Sequence, residues 1–458
     1  MHGKTLSSPF NPWTTRVLRL SATLILAPAL VHPSQSAELV SGPMVGHTTT
    51  STAKIWVETD APSTVQVDYF VSPGNRIPLV IGSAQARTTG DFPHVAVVEL
   101  KDLTANAQVR YSVRVNNRII RPLGPQVFRT MPREPDGGNG ADFMVAFGSC
   151  MNPVEVPYQA IWNKALQFRP AAFLFIGDIN YMPGDGAGYG DDREIVRLAM
   201  AGYHREARDV PGVRTLMATT PSYGIWDDHD YGPNNSDRTF KWRDESIGIY
   251  NRYWPNVKAH DNGVYHSFRI ADAEFFMLDN RANRDPNEAQ DRAVMFGPEQ
   301  MAWLRNGLKA STATFKILAN GNTMAAGNGE NWSHFGSERD DFLKWMFGEN
   351  ITGVVFIAGD WHVGTLNRLH RPQDDYPIYE LLSSNLGVRK LPIDTDLTGN
   401  AGGNHHSAAN TYPGYNFGAL SFSGKKDART ITLQIIDEEG NVRIHRRLGE
   451  NDLKPRPR

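Results

Sequence analysis

Pro221-Ser222-Tyr223-Gly224-Ile225-Trp226-Asp227-Asp228-His229-Asp230 is an apolar run that ends in a burst of carboxylates around one imidazole. The same pattern recurs along the chain. Phe143 to Phe147 runs into Gly148-Ser149-Cys150, Ala171 to Ile176 into Gly177-Asp178, and Ala273 to Leu278 into Asp279-Asn280-Arg281. Phe315 to Ala319 leads to Gly321-Asn322, and Val354 to Ala358 into Gly359-Asp360-Trp361-His362. Segments of helical character lie between the runs: Tyr158 to Phe168, Asp191 to Glu206, Pro298 to Ala310 and Ser337 to Phe347. Short apolar runs alternating with helices imply βαβ units and a layered α/β domain. A hairpin, Thr430 to Ile436 and Asn441 to Arg446, closes the chain.

In an open α/β sheet the ligand site lies beyond the carboxyl ends of the strands, so these polar clusters converge on one edge. Taken singly, a Gly-Asp after a strand is a turn and a histidine is a satisfied structural residue. Their repetition is what matters. Carboxylate, imidazole, amide and thiolate gathered at one edge are costly unless cations neutralise them. Carboxylate and asparagine oxygens suit calcium, magnesium or manganese, whereas thiolate and imidazole suit iron or zinc, so a mixed centre is expected.

Ahead of this region, Leu39 to Met131 reads as a small β-sandwich, with alternating strands at Ala53 to Glu58, Thr64 to Tyr69, His94 to Leu100 and Val109 to Val115. The turn Leu103 to Asn106 before Arg110-Tyr111 resembles the corner of fibronectin-type sandwiches. Pro132 to Gly140 is rich in proline and glycine and marks the boundary. The expected division is therefore 1–36, 37–133 (sandwich), 134–140 (linker) and 141–458 (catalytic layers). Lys4, Arg16 and Arg19 followed by the apolar run Leu20 to Val31 and the small residues at Ser34 to Ala37 read as a secretory signal, so an exported protein is expected. That run falls far short of the ~20 residues of a spanning helix. Arg16 and Arg19 are not adjacent, so no twin-arginine signal is read.

The 458 residues allow more than one domain, and 47 basic against 49 acidic residues leave no field to hold a polyanion, so no specific nucleic-acid recognition is expected. Cys150 is the single cysteine of a chain expected in an oxidising compartment. It is either a buried small hydrophobe or a thiolate held for chemistry, and its place at a strand end favours a ligand.

Phe147-Gly148-Ser149-Cys150, Phe175-Ile176-Gly177-Asp178, Trp226-Asp227-Asp228-His229-Asp230 with Asn234-Asn235, Leu278-Asp279-Asn280-Arg281 and Gly359-Asp360-Trp361-His362 stand in an order that resembles the PhoD-like (alkaline phosphatase D) branch of the metallophosphoesterases. The resemblance implies a four-layer αββα sandwich behind a small fibronectin- or Ig-like β-sandwich. It also implies a dinuclear or trinuclear centre of Fe(3+) with Ca(2+), manganese or zinc being the alternative. Carried over motif by motif, Cys150, Asp178 and Asp360 are iron-side ligands and Asp178 bridges to the second ion. Asp228, Asn235 and His362 face that ion or the phosphate. Tyr203 is taken as the family's tyrosine ligand, an ordinary packed aromatic being the other reading. Departures include Gly177-Asp178-Ile179-Asn180-Tyr181, where the order after the aspartate differs from the usual one, and Asn280, where threonine is usual.

The implied activity is hydrolysis of small-molecule phosphate esters by a metal-activated hydroxide. Arg281, if inward, offsets phosphoryl charge. His229 stabilises or protonates the leaving oxygen, or else is a histidine bonded to a backbone carbonyl. Three rivals remain. A phosphodiesterase or phospholipase-type hydrolase could use the same centre; a serine hydrolase lacks its Gly-x-Ser-x-Gly elbow; a non-enzymatic surface-binding protein would not need intact ligands. His405-His406 are expected to face solvent.

Overall fold

The computed structural model describes residues 37–72, 80–135, 141–182, 190–257, 260–287, 289, 292–324, 330–369, 376–390 and 410–455. The expected signal segment, most of the linker and His405-His406 lie outside the described residues.

The front region runs through β1 (Leu39–Thr48), β2 (Ala53–Thr59), β3 (Thr64–Ser72), β4 (Val80–Arg87), β5 (His94–Leu100), β6 (Gln108–Val115), β7 (Arg118–Ile119) and β8 (Val127–Arg129). β1-β2-β5 form one sheet, and β4-β3-β6-β7 with β8 on β6 form the other. Alternation decides which residues face inward. Val65, Val67, Tyr69 and Val71 of β3 oppose Val115, Val113, Tyr111 and Val109 of β6 in register, and all but Val115 lie in one apolar cluster with Ile55, Val57 and Val98 of the facing sheet. The tyrosine that follows the Leu103 to Asn106 turn reaches out of the front region. The Tyr111 hydroxyl donates to the Ala218 carbonyl, in the second region, at 2.9 Å.

That second region contains β9 (Phe143–Met151), α1 (Ile161–Phe168), β10 (Ala172–Ile176), α2 (Arg193–Asp209), α3 (Pro211–Thr219), β11 (Ser222–Ile225), α4 (Asp228–Tyr231) and α5 (Arg243–Tyr253). It continues with β12 (His266–Ile270), β13 (Ala273–Met277), α6 (Gly297–Ala310), β14 (Phe315–Asn320), α7 (Gly336–Gly348) and β15 (Val354–Ala358). β16 (Gly364–Leu369), β17 (Ile378–Gly387), β18 (Thr411–Tyr412), β19 (Asn416–Ser423), β20 (Thr430–Asp437) and β21 (Val442–Gly449) complete it. The strands join in the order β11-β10-β9-β19-β17-β15-β14-β13-β12, with β20 on β19, β21 on β20, β16 on β17 and β18 on β16.

Strands at opposite ends of this order meet, so the sheet path turns back on itself. Tyr223 of β11 stacks on Phe268 of β12 with ring centroids 3.7 Å apart, and Phe422 of β19 meets Phe315 of β14 at 5.7 Å. β13, β14 and β15 are buried on both faces, which is why they read as continuous apolar runs rather than alternating ones. Phe275, Ile317 and Ile357 face the aromatic interior, whereas Phe276, Leu318 and Phe356 face Leu304 and Leu308 of α6 and Phe342 and Met346 of α7. β9, β10 and β11 run parallel, as do β13, β14, β15 and β17, and β17 joins the two sets in parallel with Ser384 opposite Ser149. All their carboxyl ends therefore share one edge.

The two regions meet along a polar seam. The Trp56 indole N–H donates to the Arg252 carbonyl at 2.7 Å, and Lys54 Nζ to the Asn256 carbonyl at 2.6 Å. Trp56 itself is buried, and burying a side chain of that size is worth ~3 kcal/mol. Nearby, His47 lies 3.2 Å from the Tyr223 hydroxyl and His266 is bonded to the Val264 carbonyl. Burial, with Lys54 behind it and Glu99 opposing, lowers the His47 pKa to about 4. His266 also sits at about 4, chiefly through burial, with His47, Lys54 and His260 adding to the effect against its bond to Val264.

Both histidines refuse, in the folded state, a proton that the unfolded chain accepts near pH 6.5. Their neutrality therefore costs nothing above pH 6.5, and stability falls as pH drops towards 4. A His47→Gln/His266→Gln variant is expected to lose part of the slope of unfolding midpoint against pH in that window. Parallel slopes for variant and parent in a denaturation series would refute this.

Candidate metal centre

Several of the residues expected at the site arrive at the end of a strand or a turn beyond it, on backbone that few side chains adopt. Cys150, Asp178, Asn235, Asp360 and His362 all have positive φ, between 54° and 79°. Aspartate, asparagine and histidine tolerate this region best; cysteine does not, so Cys150 at φ 61° carries strain that its surroundings must hold. Gly177 turns the chain at φ 104°, and a Cβ there would come within 2.7 Å of the Asp227 Cβ. Gly359 is as constrained, since its Cβ would meet Ser149 Oγ at 2.5 Å. These glycines let β10, β11 and β15 bring their ends into contact.

The result is two overlapping groups of donors. Asp178, Asp228 and His229 each place one ligand atom within 4.8 Å of the others, and so do Asp178, Asp227 and Asp360. Asp178 belongs to both groups. Cys150 stands beside it, with Sγ 3.5 Å from Asp178 Oδ2, and Ser384 of β17 donates its hydroxyl to that sulfur at 3.1 Å while accepting the His362 amide at 2.8 Å.

Electrostatics confirm how crowded the edge is. Burial first, then the charges of Asp228, Asp227, Asp230 and Asp360, push the Asp178 carboxyl well above the usual range. Asp360 is raised by burial, Asp227, Asp228 and Glu330, against the pull of Arg281. Burial with Asp178 and Asp360 raises the Cys150 thiol, although Ser149 and Ser384 oppose the rise. Asp228 goes the other way. Burial acts to raise it, but Arg281 and His229 outweigh that and hold it at about 2.

Asp230 faces away from the donors and organises them. Its carboxylate accepts the amides of Asp178 at 2.5 Å, Ile179 at 2.9 Å, Asn180 at 2.8 Å and Asp227 at 3.1 Å, so one side chain pins both ligand-bearing turns. Burial raises its pKa to about 7 and these N–H groups resist the rise.

Several residues sit where the sequence reading did not put them. Tyr203 lies on α2, half-buried against the apolar interior, and its one charged neighbour in the electrostatics is Glu206. The tyrosine at the centre is Tyr181. Its ring stacks on His229 at 4.5 Å, its buried hydroxyl is unpaired, and burial with Cys150, Asp178 and Asp228 raises its pKa. The spacing Asp178-x-x-Tyr181 carried that signal. Arg281 is fully buried and committed: its Nε binds Asp227, its Nη2 lies 3.5 Å from Glu330 and 3.9 Å from Asp228. Asn235 reaches the centre through its backbone, donating its amide to Asp228 at 2.8 Å. Burial, with His229 behind it, lowers the His362 pKa against the charges of Glu155 and Asp228. Asp227, passed over in favour of its neighbour, has Oδ1 held by Arg281 and Asn280 and Oδ2 buried without a partner. Glu330, whose charge reaches Asp360, was not anticipated either.

An unpaired carboxylate oxygen, an unpaired phenol and the unpaired Nδ1 of His229, all buried beside repelling carboxylates, fit cations and little else.

Known proteins resemble this chain in sequence and in fold. Residues 36–132 match the model of a domain of unknown function (DUF7800). Alkaline phosphatase D of Bacillus subtilis (strain 168) is 23% identical over 354 residues, a match covering 67% of this chain and 60% of that protein. A solved structure of PhoD superposes with a TM-score of 0.71 at 16% identity, covering 88% of this chain and 91% of that one. A purple acid phosphatase from yellow lupin (Lupinus luteus) seeds does so with a TM-score of 0.61 at 12% identity, covering 89% and 74%. At these identities the superpositions speak for the mixed α/β fold alone. The family model of PhoD-like phosphatases matches residues 144–433, from the strand that delivers Cys150 into the closing hairpin, and the chain belongs to that family.

Proposed function

We propose that this chain is an exported, metal-dependent phosphoesterase acting on small phosphate esters, with its centre built around Asp178. The observation that carries the reading is the membership of Asp178 in two donor groups at once. In this reading residues 1–36 are a signal, 37–133 the sandwich, 134–140 a linker, and 141–458 the catalytic layers of an αββα arrangement.

One cation would be held by Asp178 and Asp228 with His229 next to it, the other by Asp178, Asp227 and Asp360, with Cys150 and Tyr181 beside them. Thiolate and phenolate suit iron, and the carboxylate-rich remainder suits calcium; manganese or zinc is the alternative pairing. Bound there, such ions neutralise phosphoryl charge and lower the pKa of an attacking water.

The chain supplies the rest. Arg281 does not reach out to substrate but fixes Asp227 and Asp228 in place and helps hold the Asp228 carboxyl low. Asp230 keeps the two turns in register. His229, half-buried at the rim, holds the proton that the leaving oxygen requires, and Asn235 and His362 line the path of the phosphate. With 47 basic against 49 acidic residues, the substrate is held by this local centre rather than by a general field.

Elemental analysis of the purified protein is expected to find iron with calcium, and a chelator is expected to abolish hydrolysis of p-nitrophenyl phosphate and bis(p-nitrophenyl) phosphate measured side by side. Metal-free protein with undiminished turnover would overturn the assignment. Asp178→Asn should abolish turnover while raising the unfolding midpoint of the metal-free protein, because one of the mutually repelling charges is gone; a sharp drop in that midpoint would contradict it. His229→Asn is expected to lower kcat by about 10²–10⁴ with metal content unchanged. Loss of an equivalent of metal in that variant would make His229 a ligand and not the proton donor.

A further inference from the structure

The seam between the sandwich and the catalytic layers contains a buried polar chain that the chemistry above leaves unused. It begins at Glu58 of β2, whose carboxylate is fully buried. Arg205 of α2 binds it through Nη2 at 2.6 Å, and the Tyr253 hydroxyl of α5 donates to it at 3.0 Å. The Tyr253 ring lies flat on His204, centroids 4.6 Å apart at 12°. His204 Nδ1 is 2.9 Å from the Asn180 side-chain nitrogen, which also donates to Asp230 Oδ1 at 3.0 Å.

The polarity of this chain is fixed. Turning the Asn180 amide round would set its oxygen against the Asp230 carboxylate, so the nitrogen must be the donor to both neighbours. His204 Nδ1 is then the acceptor, and its ring proton is on Nε2. Arg208 locks the assembly from behind, donating to the carbonyls of His204 and Tyr253 at 2.9 Å each while lying 5.5 Å from the Trp56 ring of the sandwich. Asn180 is one residue beyond Ile179 and two beyond Asp178, in the turn whose amides Asp230 collects.

We propose that His204 is a positioning residue for the ligand-bearing turn at Asp178, and that the β-sandwich, through Glu58 and Tyr253, holds His204 in place. The inference rests on the reading of that edge as a metal centre. It gives the sandwich a function within the catalytic unit. A turn with Asp178 at φ 54° stays in that conformation only if its surroundings over-determine it, and Asn180 has contacts on both sides that do so. Outer contacts of this kind are worth roughly 10- to 100-fold in metal affinity.

The test is a titration of metal-free protein with Mn(2+), followed calorimetrically, with the unfolding midpoint of each variant measured alongside. His204→Phe keeps the ring stack on Tyr253 but deletes the acceptor, and is expected to weaken Mn(2+) binding about 10-fold at unchanged stoichiometry. His204→Gln restores an acceptor and should recover most of the affinity. Glu58→Gln should weaken binding in the same direction, and it keeps the question open to experiment if His204→Phe does not fold. Tyr111→Phe, which removes a different hydrogen bond across the same seam, should lower the unfolding midpoint and leave Mn(2+) affinity unmoved. Parental affinity in His204→Phe and Glu58→Gln overturns the proposal, as does an equal loss in Tyr111→Phe. A parent protein that binds no Mn(2+), iron or calcium overturns instead the metal-centre reading on which it stands.

Discussion

The mutual repulsion of Asp178, Asp227, Asp228 and Asp360 is the constraint around which the rest of this molecule is arranged. Two carboxylates with oxygens within 4.8 Å of one another repel by about 3–4 kcal/mol at an effective dielectric near 20. Several such pairs together rival the whole stability of a domain, on the order of 5–15 kcal/mol. The chain answers with two buried guanidinium groups, Arg281 placed against Asp227, Asp228 and Glu330 and Arg284 in the field of the same three charges. Two positive charges do not balance that many negative ones, and the shortfall is what cations would fill. The contrast between Asp228, held low beside Arg281, and Asp178 and Asp360, driven up by their neighbours, shows where compensation reaches and where it stops.

Holding such a cluster requires a frame that cannot relax. The strands that deliver the carboxylates are buried throughout, β15 between α7 outside and an aromatic interior inside, and β10 and β11 at every position. A strand that slid by one residue would turn every one of those rings to the wrong face. The ends are then drawn together by glycine, since Gly177 and Gly359 let Asp227 and Ser149 approach to distances that any Cβ would block. Hydrophobic burial therefore supplies the free energy and backbone geometry directs it to the edge. Asp230 adds the final restraint by gathering amides from two turns into one carboxylate.

Much of this was legible in the sequence because the relevant signals are local. Apolar runs that end in Gly-Asp or Asp-Asp-His mark strand ends, and the runs assigned to Ala273–Leu278, Phe315–Ala319 and Val354–Ala358 became β13, β14 and β15 almost residue for residue. What escaped depends on contacts between distant positions. Tyr203 and Tyr181 are equally good tyrosines in the sequence, and only the turn after Asp178 decides that Tyr181 meets His229. Asp227 and Asp228 are adjacent, and the reading chose one where each stands in a donor group with Asp178. The partner of the Tyr111 hydroxyl was not readable, because nothing in its own strand reveals α3 across the seam. β17, buried at every position, was missed since Ser383-Ser384-Asn385 interrupts its apolar run, yet those polar residues serve Cys150 and His362.

Backbone strain points the same way as charge. Non-glycine residues at positive φ cost of order 1–3 kcal/mol each and persist only where their surroundings leave them no alternative. Among the residues in that conformation here are Cys150, Asp178, Asn235, Asp360 and His362, five that the sequence had already singled out for chemistry. A centre assembled on flexible loops would have to order these side chains each time an ion or substrate arrived. One assembled on strained turns at the ends of buried strands has met that ordering cost during folding. Such turns need support from several directions, and for the turn at Asp178 the support includes Asp230 beneath it and, through Asn180 and His204, a glutamate on the sandwich. The front region is thus part of what keeps the donors apart from solvent and close to one another, which is the arrangement their repulsion would otherwise undo.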